Sequence, residues 1–382
     1  MRVNGYQVLA NSLILLMSSF SVSSGTVRQV PSQYPTIGAA ITAAADLDSI
    51  LVAPGSYFEN LDTGVKQLTL LSTGNATNTT IDGSGIGRVL RLGRAGTLRG
   101  FTIQNGAATS GGGVLATGAS VAGGRRPLQI EDCIFRENTA TVFDVGQGGG
   151  LFVGTFVSSA LVKNCTFENN SAGHEGGGAY IAFALTSVVG NVFRGNFASH
   201  FGGGIVAQGG YIQGNLFVDN IARDAGGGLY GATADLRGNT FARNAHQNSF
   251  SLGAGIHLTD GVGEVANNIV WASRSTVSGP AGVGIYCNSR SNTLKFLCND
   301  SWGNTGPNFV RAAGALCDTL GGKNISLDPE FCAPGIDNFY LNNTSPCSAM
   351  NNSCGLIGAF GVGCVQVQVR PATWSQVKTL VH

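Results

Sequence analysis

Charged side chains are scarce in this chain of 382 residues: they make up 11 % of it, and the formal net charge is +1. A balance so close to neutral leaves no basic footprint for a polyanion, so nucleic acid is not an expected partner. Few ionisable groups also leave few candidates for acid–base catalysis. Any catalytic function would have to use a small number of carboxylates, histidines and arginines.

Amphipathic helical periodicity is missing between the strand-like runs of the chain, which argues against βαβ units. The spacing C-x-x-C does not occur, so the nine cysteines carry no signature of a zinc site. Calcium-binding nonapeptides rich in aspartate are absent as well. We therefore expect no metal and no cofactor.

Glycine, by contrast, is abundant at 58 residues, and one phrase recurs five times. The phrase is Phe-x-x-Asn, and a glycine-rich triplet follows each copy. Its members are Phe135 and Asn138, Phe167 and Asn170, Phe193 and Asn196, Phe217 and Asn220, and Phe241 and Asn244. Successive asparagines lie 32, 26, 24 and 24 residues apart. A period of this size predicts a repeat architecture.

Each repeat is too short for a propeller blade, which needs about 40 residues, but it fits one coil of a parallel β-solenoid. Period-2 runs separated by Gly and Asn predict strands and turns. Coils stack about 4.8 Å apart, so equivalent residues form ladders. We expect the phenylalanines to form an aromatic spine inside. The asparagines, which tolerate left-handed backbone, should hydrogen-bond along one bend, and the glycines should form a second corner.

The alternation of Phe-x-x-Asn with Gly-Gly-x resembles the repeats of polymorphic outer membrane proteins of the chlamydial type. More broadly, it resembles right-handed parallel β-helix proteins with the pectin-lyase fold. The resemblance covers roughly residues 98–270 and implies an all-β fold, a single right-handed parallel β-helix. It implies little about function, because this fold carries lyases, hydrolases, esterases, epimerases and adhesins.

The N-terminal part of the chain differs from the repeats. Residues 1–24 combine Arg2 with an apolar stretch and small residues, which is typical of a secretory signal peptide. We therefore expect a secreted or cell-surface protein with no transmembrane span after signal removal. Residues 25–280 are predicted to form the β-helix, with a short helix at 38–46 as its N-terminal cap. That beginning resembles pectin methylesterases, but the paired Asp motif of those esterases is absent downstream.

Seven of the nine cysteines lie in the segment 281–364, which we predict to hold the last coils and a closing segment. In an exported chain such clustering predicts disulfides, and the sequence leaves their pairing open. Cys133 and Cys165 fill equivalent slots one coil apart, and inert buried thiols are favoured there over a disulfide. Residues 365–382 form a tail, for which a docking cap and a sorting signal stay open as alternatives.

Two ladders of outward-facing residues are candidates for function. The second residue after each glycine triplet gives a stripe that contains Phe152, Tyr180, Tyr230 and His257, with Val206 between the tyrosines. Because aromatic rings can stack on sugars, we predict that this stripe binds a glycan along the solenoid. The alternatives are that a loop covers the stripe, or that it reflects β-propensity alone.

The second ladder is polar and consists of His174, His200 and Asp224, each four residues after a bend asparagine. Such groups suit proton transfer or metal binding. The outer two members lie two coils, about 9.6 Å, apart, which argues against one ion held by all three. A solvated polar turn is the preferred interpretation.

Catalytic residues stay unassigned at this stage. A glycoside hydrolase needs two carboxylates about 5–9.5 Å apart, which Glu175 and Asp224 could supply. A polysaccharide lyase would need carboxylates holding Ca²⁺ and an arginine base, and Asp219, Arg223 and Asp224 form the compact cluster of that kind. The leading prediction is a non-catalytic, adhesin-like monomer that binds a polysaccharide or cell-surface glycan. A lyase or hydrolase and a purely structural surface protein are the alternatives.

Overall fold

The computed structural model describes residues 25–364 apart from 118–123, 125, 183–184, 249–252, 277–281 and 291–292. The predicted signal segment 1–24 and the predicted tail 365–382 lie outside the described residues. The described chain winds into a parallel β-helix in which nearly every strand pairs with the equivalent strand of the next coil. The predicted fold is confirmed.

A full coil contributes four strands, which we name ladders a, b, c and d in chain order. Ladder a consists of Leu61–Asp62, Leu90–Leu92, Val114–Ala116, Leu151–Val153, Ala179–Ile181, Ile205–Gln208, Ile285–Cys287 and Phe309–Arg311. Ladder b consists of Val27–Val30, Ser49–Val52, Leu68–Ser72, Gly96–Arg99, Leu128–Glu131, Ala160–Lys163, Thr186–Val189, Tyr211–Gln213, Leu294–Leu297 and Cys317–Asp318. Two long strands, Leu229–Arg237 and Ile256–Ala266, run through both ladders and join them in one sheet.

The other two ladders form separate parallel sheets. Ladder c consists of Gly55–Phe58, Thr79–Asp82, Thr102–Gln104, Ile134–Arg136, Thr166–Glu168, Val192–Arg194, Leu216–Val218, Thr240–Ala242, Ile269–Trp271 and Asp300–Trp302. Ladder d consists of Ala107–Ala108, Thr139–Ala140, Ser171–Ala172, Phe197–Ala198, Ile221–Ala222, Ala245–His246 and Arg274–Ser275. Among the described residues the sheets therefore contain 20, 10 and 7 strands, and the core lies inside the coil they enclose.

The aromatic spine lies inside the solenoid, as predicted. Five phenylalanines of ladder c are fully buried, and their rings stack with centroids 4.5–4.8 Å apart and nearly parallel planes: Phe135, Phe167, Phe193, Phe217 and Phe241. This distance matches the spacing of the coils, so the side chains repeat the backbone stacking. The stack places the largest apolar side chains of each repeat out of water.

The bend asparagines also behave as predicted, with one correction. The Oδ1 atom of Asn220 accepts from the main-chain N–H of Asn196 at 3.1 Å and from its Nδ2 at 2.9 Å. The Nδ2 atom of Asn196 in turn donates to the carbonyl of Phe167. We expected the asparagine itself to be left-handed. The left-handed residue is instead the one before it, such as Asp219 with φ of 54°. None of the bend asparagines has a positive φ.

A second asparagine ladder follows ladder b. It consists of Asn191, Asn215, Asn239, Asn268, Asn299 and Asn324, linked in the same way. Cys165 occupies the slot before Asn191 and donates its main-chain N–H to the Asn191 side chain.

The glycine triplets form the corner between ladders d and a, as predicted. The first glycine of each triplet has a positive φ, for example 64° at Gly202. The second has no room for a side chain, since a Cβ on Gly203 would lie 2.4 Å from the carbonyl oxygen of Ile221. We name this edge of the solenoid the glycine corner.

The N-terminal end of the solenoid is covered by the predicted helix, which spans Ile37–Ala43. Thr36 caps it by accepting from the Ala39 N–H. Ile37 and Ile41 are buried against the first coils, so the helix shields the core from water. No described helix is long and apolar enough to cross a membrane.

After Ser326 the chain leaves the stack and packs along the outside of ladder c. Residues 327–364, named here the C-terminal arm, contain an antiparallel pair, Phe331–Ala333 with Asn338–Leu341, and a 3₁₀ turn at Pro334–Ile336. Phe339 is buried against Leu216, Val218 and Ala242, which would otherwise face solvent. The arm therefore covers the apolar outer face of ladder c.

The predicted disulfides are present in the C-terminal part. Among the described residues the pairs are Cys287–Cys317, Cys298–Cys354 and Cys332–Cys364. Cys298–Cys354 joins the arm to the last coils. Cys133 and Cys165 are free and buried, as favoured from the sequence, and Cys347 is free and buried as well.

Candidate functional site

The two candidate ladders lie side by side on the outer surface of the glycine corner. The polar ladder precedes each glycine triplet, and the aromatic stripe follows it. Because the triplet is the corner at which the chain turns from ladder d to ladder a, the two sets lie on either side of the same edge. Phe201 shows the contact: its ring is 6.5 Å from that of His174 and stacks at 4.4 Å on Tyr230.

His200 is the best-connected member of the polar ladder. Its Nδ1 atom lies 2.7 Å from a carboxylate oxygen of Asp224, and its Nε2 atom lies 2.5 Å from one of Asp144. Burial alone would lower the pKa of His200, but the hydrogen bonds and charges of Asp144 and Asp224 outweigh it and raise the pKa. The ring of His174 lies 4.8 Å away in the preceding coil. His200 thus bridges the carboxylates of Asp144 and Asp224, and these two groups favour the charged form of its ring.

Glu175 links the polar ladder to the stripe. Its Oε2 atom accepts a hydrogen bond from Gln147 at 2.9 Å and lies 3.7 Å from Nδ1 of His174. Burial chiefly raises the pKa of Tyr180 and of Tyr230, and the negative charge of Glu175 raises both further. Glu175 is therefore close enough to both tyrosines to act on their ionisation.

The aromatic stripe is less exposed than the sequence predicts. Tyr180 is 6 % exposed, and its hydroxyl oxygen accepts a hydrogen bond from Nε2 of Gln208 at 2.8 Å. Val206, in the same slot, is buried too. Phe152 and His257 are half-buried. The expected exposure of Tyr180 is wrong, because alternation along a strand shows that a side chain points outward and not what covers it.

Ring stacking also changes how the stripe can meet a ligand. Phe152 stacks on Tyr180 at 5.3 Å with planes 7° apart, so each ring covers a face of its neighbour. Beyond Val206, the rings of Tyr230, His257 and Tyr286 follow with centroids 4.7–4.9 Å apart and planes tilted by 38° and 52°. In both groups the rings of neighbouring coils lie against each other. Contact with a sugar would therefore use edges and polar atoms rather than face stacking.

The cluster expected for a polysaccharide lyase is divided between two corners. Asp224 lies at the glycine corner with His200, whereas Asp219 lies at the bend between ladders c and d. There Asp219 accepts hydrogen bonds from Arg243 at 2.7 and 3.0 Å, and Arg243 also pairs with Asp337 of the C-terminal arm. Arg223 is exposed. Whether any of these residues is catalytic stays a prediction.

Several residues of the corner were not foreseen. Asp144 and Phe143 belong to residues 141–146, the extra length in the 32-residue repeat, and only that length signalled them. Gln147 and Phe201 directly precede glycine triplets, in a slot that bridges from coil to coil. Within the described part of the chain no group of three or more His, Cys, Asp or Glu side chains could hold a metal ion.

Comparison with known proteins finds one matching family model and solved structures of low sequence identity. The model of the right-handed β-helix region matches residues 63–301, which is more than half of the chain. The solved pectin methylesterase PemA from Erwinia chrysanthemi is 10 % identical over 79 % of this chain and 93 % of that one, with a TM-score of 0.25. A pectin methylesterase variant in complex with a hexasaccharide is 11 % identical over 80 % and 93 %, with a TM-score of 0.24.

No curated protein matches the chain. Likenesses as distant as these two esterases say nothing about activity or substrate. The family match and the parallel ladders agree on the architecture. The chain therefore belongs to the right-handed β-helix family.

Proposed function

We propose that this protein is an extracellular β-helix scaffold that binds a glycan along the glycine corner and leaves it chemically unchanged. One observation carries the proposal. The polar ladder and the aromatic stripe lie along the same edge of the solenoid, where the ring of Phe201 contacts those of His174, His200 and Tyr230 in successive coils. Such a surface offers a repeating ligand a repeating set of contacts.

The chemistry of this surface suits a polyhydroxylated chain. Glu175 and Asp224 accept hydrogen bonds, whereas the histidines and Gln147 can donate them. The edges of Phe152, Tyr230 and His257 add apolar contact between these groups. Glycan binding therefore rests on polar contacts supported by ring edges, a modification of the stacking predicted from sequence.

The partners of the acidic groups favour binding over catalysis. Asp144 and Asp224 are both engaged by His200, and Glu175 is engaged by Gln147. A general acid needs a carboxyl with a raised pKa facing its substrate. The Ca²⁺-dependent lyase alternative would further require Asp219 and Asp224 to act together, although they lie at different corners.

Export from the cell is supported by the cysteines. Disulfides persist in oxidising compartments, and this chain forms three of them. The predicted signal segment agrees with export. The resemblance of the repeats to those of polymorphic outer membrane proteins supports a cell-surface location.

The proposal is tested with Glu175→Gln and Tyr230→Phe, which remove a charge and a hydroxyl from the corner. We expect each to weaken retention on an immobilised polysaccharide about tenfold, the effect of losing one hydrogen bond of about 1.4 kcal/mol. Tyr211→Phe is the matched control, because Tyr211 is 46 % exposed on ladder b, away from the corner. Equal retention by all three variants and the parent protein would contradict the proposal.

A further inference from the structure

A second candidate site lies on the opposite side of ladder d, in the first coils. A groove of about 490 Å³ opens where ladder c turns toward ladder d. Its lining includes Phe58, Asp82, Ser84, Asn105, Glu137 and Thr139, which come from four successive coils. Its volume falls within the usual range of small-ligand sites, about 300–1,000 Å³.

The groove exists because the described ladder d begins only at Ala107–Ala108. The preceding coil passes this point as a turn of small residues, and Gly85 has φ of 71° with open space around it. Gly106 replaces the bend asparagine found in the next coil, and its N–H donates to the Asn138 side chain. The missing strand and missing side chains leave a recess.

Phe58 forms one side of the groove and is 70 % exposed. It sits in the outermost strand of ladder c, with Asp82 as its partner in the next coil. Rings within a ladder cover each other face to face, as Phe135 and Phe167 do at 4.6 Å. The equivalent position in the next coil is Asp82, so no ring of the ladder covers the side of Phe58 that faces the following coils. Phe58 can therefore offer a sugar ring the stacking face that the stripe at the glycine corner lacks.

Asp82 forms the floor of the groove as a fixed hydrogen-bond acceptor. It is 7 % exposed, and its oxygens accept from the Ser84 N–H, from Gln104 Nε2 and from Asn105 Nδ2 at 2.7–2.8 Å. Burial pushes its pKa up, but these three donors outweigh burial and lower the pKa. A carboxylate has about four acceptor positions, so one is left for a ligand.

The charge of the groove selects the class of ligand. Among its described lining residues, Asp82 and Glu137 are carboxylates and none is a lysine, arginine or histidine. Acidic sugars would be repelled, whereas hydroxyl and ammonium groups would be bound. We propose that this groove binds a sugar ring of a neutral or amino-sugar glycan, with Phe58 stacking on the ring and Asp82 accepting from it. This site is independent of the one at the glycine corner.

The test measures affinity of the full chain for a chitosan oligosaccharide, a cello-oligosaccharide and an oligogalacturonate. We expect the first, the second or both to bind, and the oligogalacturonate to bind at least tenfold more weakly at this groove. Phe58→Ala and Asp82→Asn should each reduce the affinity for the bound oligosaccharide at least tenfold. Tyr211→Ala, another exposed ring, should leave that affinity unchanged.

Phe58→Ala keeps the test interpretable, because an exposed side chain contributes little to folding, and an unchanged melting temperature confirms it. Binding by Phe58→Ala and Asp82→Asn at the parent affinity overturns the proposal. Failure of both the neutral and the amino-sugar probe to bind overturns it as well. Glu175→Gln leaves this groove intact, so a failure at one site is distinguishable from a failure at the other.

Discussion

Buried asparagines hold neighbouring coils together at the scale of single residues. Each side chain satisfies main-chain groups of the preceding coil, as Asn220 does with the N–H of Asn196 and the carbonyl of Phe193. The same side chain donates to the Oδ1 atom of Asn244 in the following coil. Removal of such a side chain leaves several buried polar groups unpaired. The ladder therefore stabilises the stack of coils more than a single surface hydrogen bond would.

Asn220→Ala should lower the free energy of unfolding by about 2–4 kcal/mol, because it leaves buried donors and an acceptor without partners. Gln247→Ala is the control: Gln247 is exposed one coil away, and its loss should cost no more than about 0.5 kcal/mol. Denaturant unfolding of both variants measures the difference. Similar stabilities for the two variants would show that the ladder does not stabilise the fold.

Asp300 is a buried carboxyl with no cation beside it in the contacts described. It accepts from the Cys347 thiol at 3.1 Å and from the Leu327 N–H, both in the C-terminal arm. Burial raises the pKa of Asp300 to about 6, against the weaker lowering by these hydrogen bonds. Because the folded pKa is raised above the unfolded value of about 3.8, its contribution to stability is complete below that value. It is lost as the pH rises through 6.

Asp300→Asn should therefore remove one component of the pH dependence of stability. Between pH 3.5 and pH 7.5 the parent protein should lose about 3 kcal/mol more than the variant, the equivalent of a shift of about two pKa units. Thermal and denaturant unfolding at both pH values measure this. Asp318→Asn, at an exposed carboxyl, should follow the parent profile. An Asp300→Asn profile parallel to the parent's would contradict the assignment.

At the scale of elements, period and alternation predicted the strands but not their surroundings. The Phe-x-x-Asn repeat gave the spine and the bend, because equivalent residues in a solenoid meet equivalent residues. The burial of Tyr180 was not predictable in this way, since it depends on Phe152 in the previous coil and on Gln208. An outward-facing side chain can therefore be covered by side chains of the neighbouring coils.

Residues 141–146 are held to the glycine corner by both backbone and side chains. The N–H of Asp144 donates to Gly173, and the N–H of His174 donates to Gly146. The His200–Asp144 pair adds a contact that depends on charge. Asp224 lies at the other ring nitrogen of His200 and adds to the preference for its charged form, and the ring of His174 lies 4.8 Å away.

This segment should open as the pH rises. The pKa of His200 is raised, so the stabilising charge is present below its ordinary value of 6.5 and is lost as the pH passes through the higher folded value. Hydrogen exchange of residues 141–146, corrected for its intrinsic pH dependence, should accelerate. In His200→Gln it should be fast and independent of pH, while His257→Gln should behave as the parent. Identical protection at all pH values would refute the role of His200.

At the scale of the whole molecule, the C-terminal arm is the part that sequence reasoning could not place. Its contacts join residues far apart in the chain, such as Arg243 with Asp337 and Thr240 with Ala359. Those contacts produce no periodic pattern in the sequence. The cysteines that fix the arm could be recognised because they cluster near the C-terminus. The arm explains why Leu216 and Val218, which face outward, are apolar.

The function proposed here also belongs to this scale, since it depends on one surface continuing over many coils. Both ladders could be predicted from the sequence, but only as two separate candidate sites. Their junction at Glu175 and Phe201 became visible only in three dimensions. The central claim is that the molecule holds a glycan without converting it.

The most direct measurement incubates the protein with polyuronates and neutral or amino-sugar glycans, with and without Ca²⁺. It follows both retention of the protein on each polymer and release of unsaturated or reducing ends. The account predicts retention on at least one polymer and no new ends, whether or not Ca²⁺ is present. Release of such ends would contradict it and direct attention to Glu175, Asp219, Arg223 and Asp224.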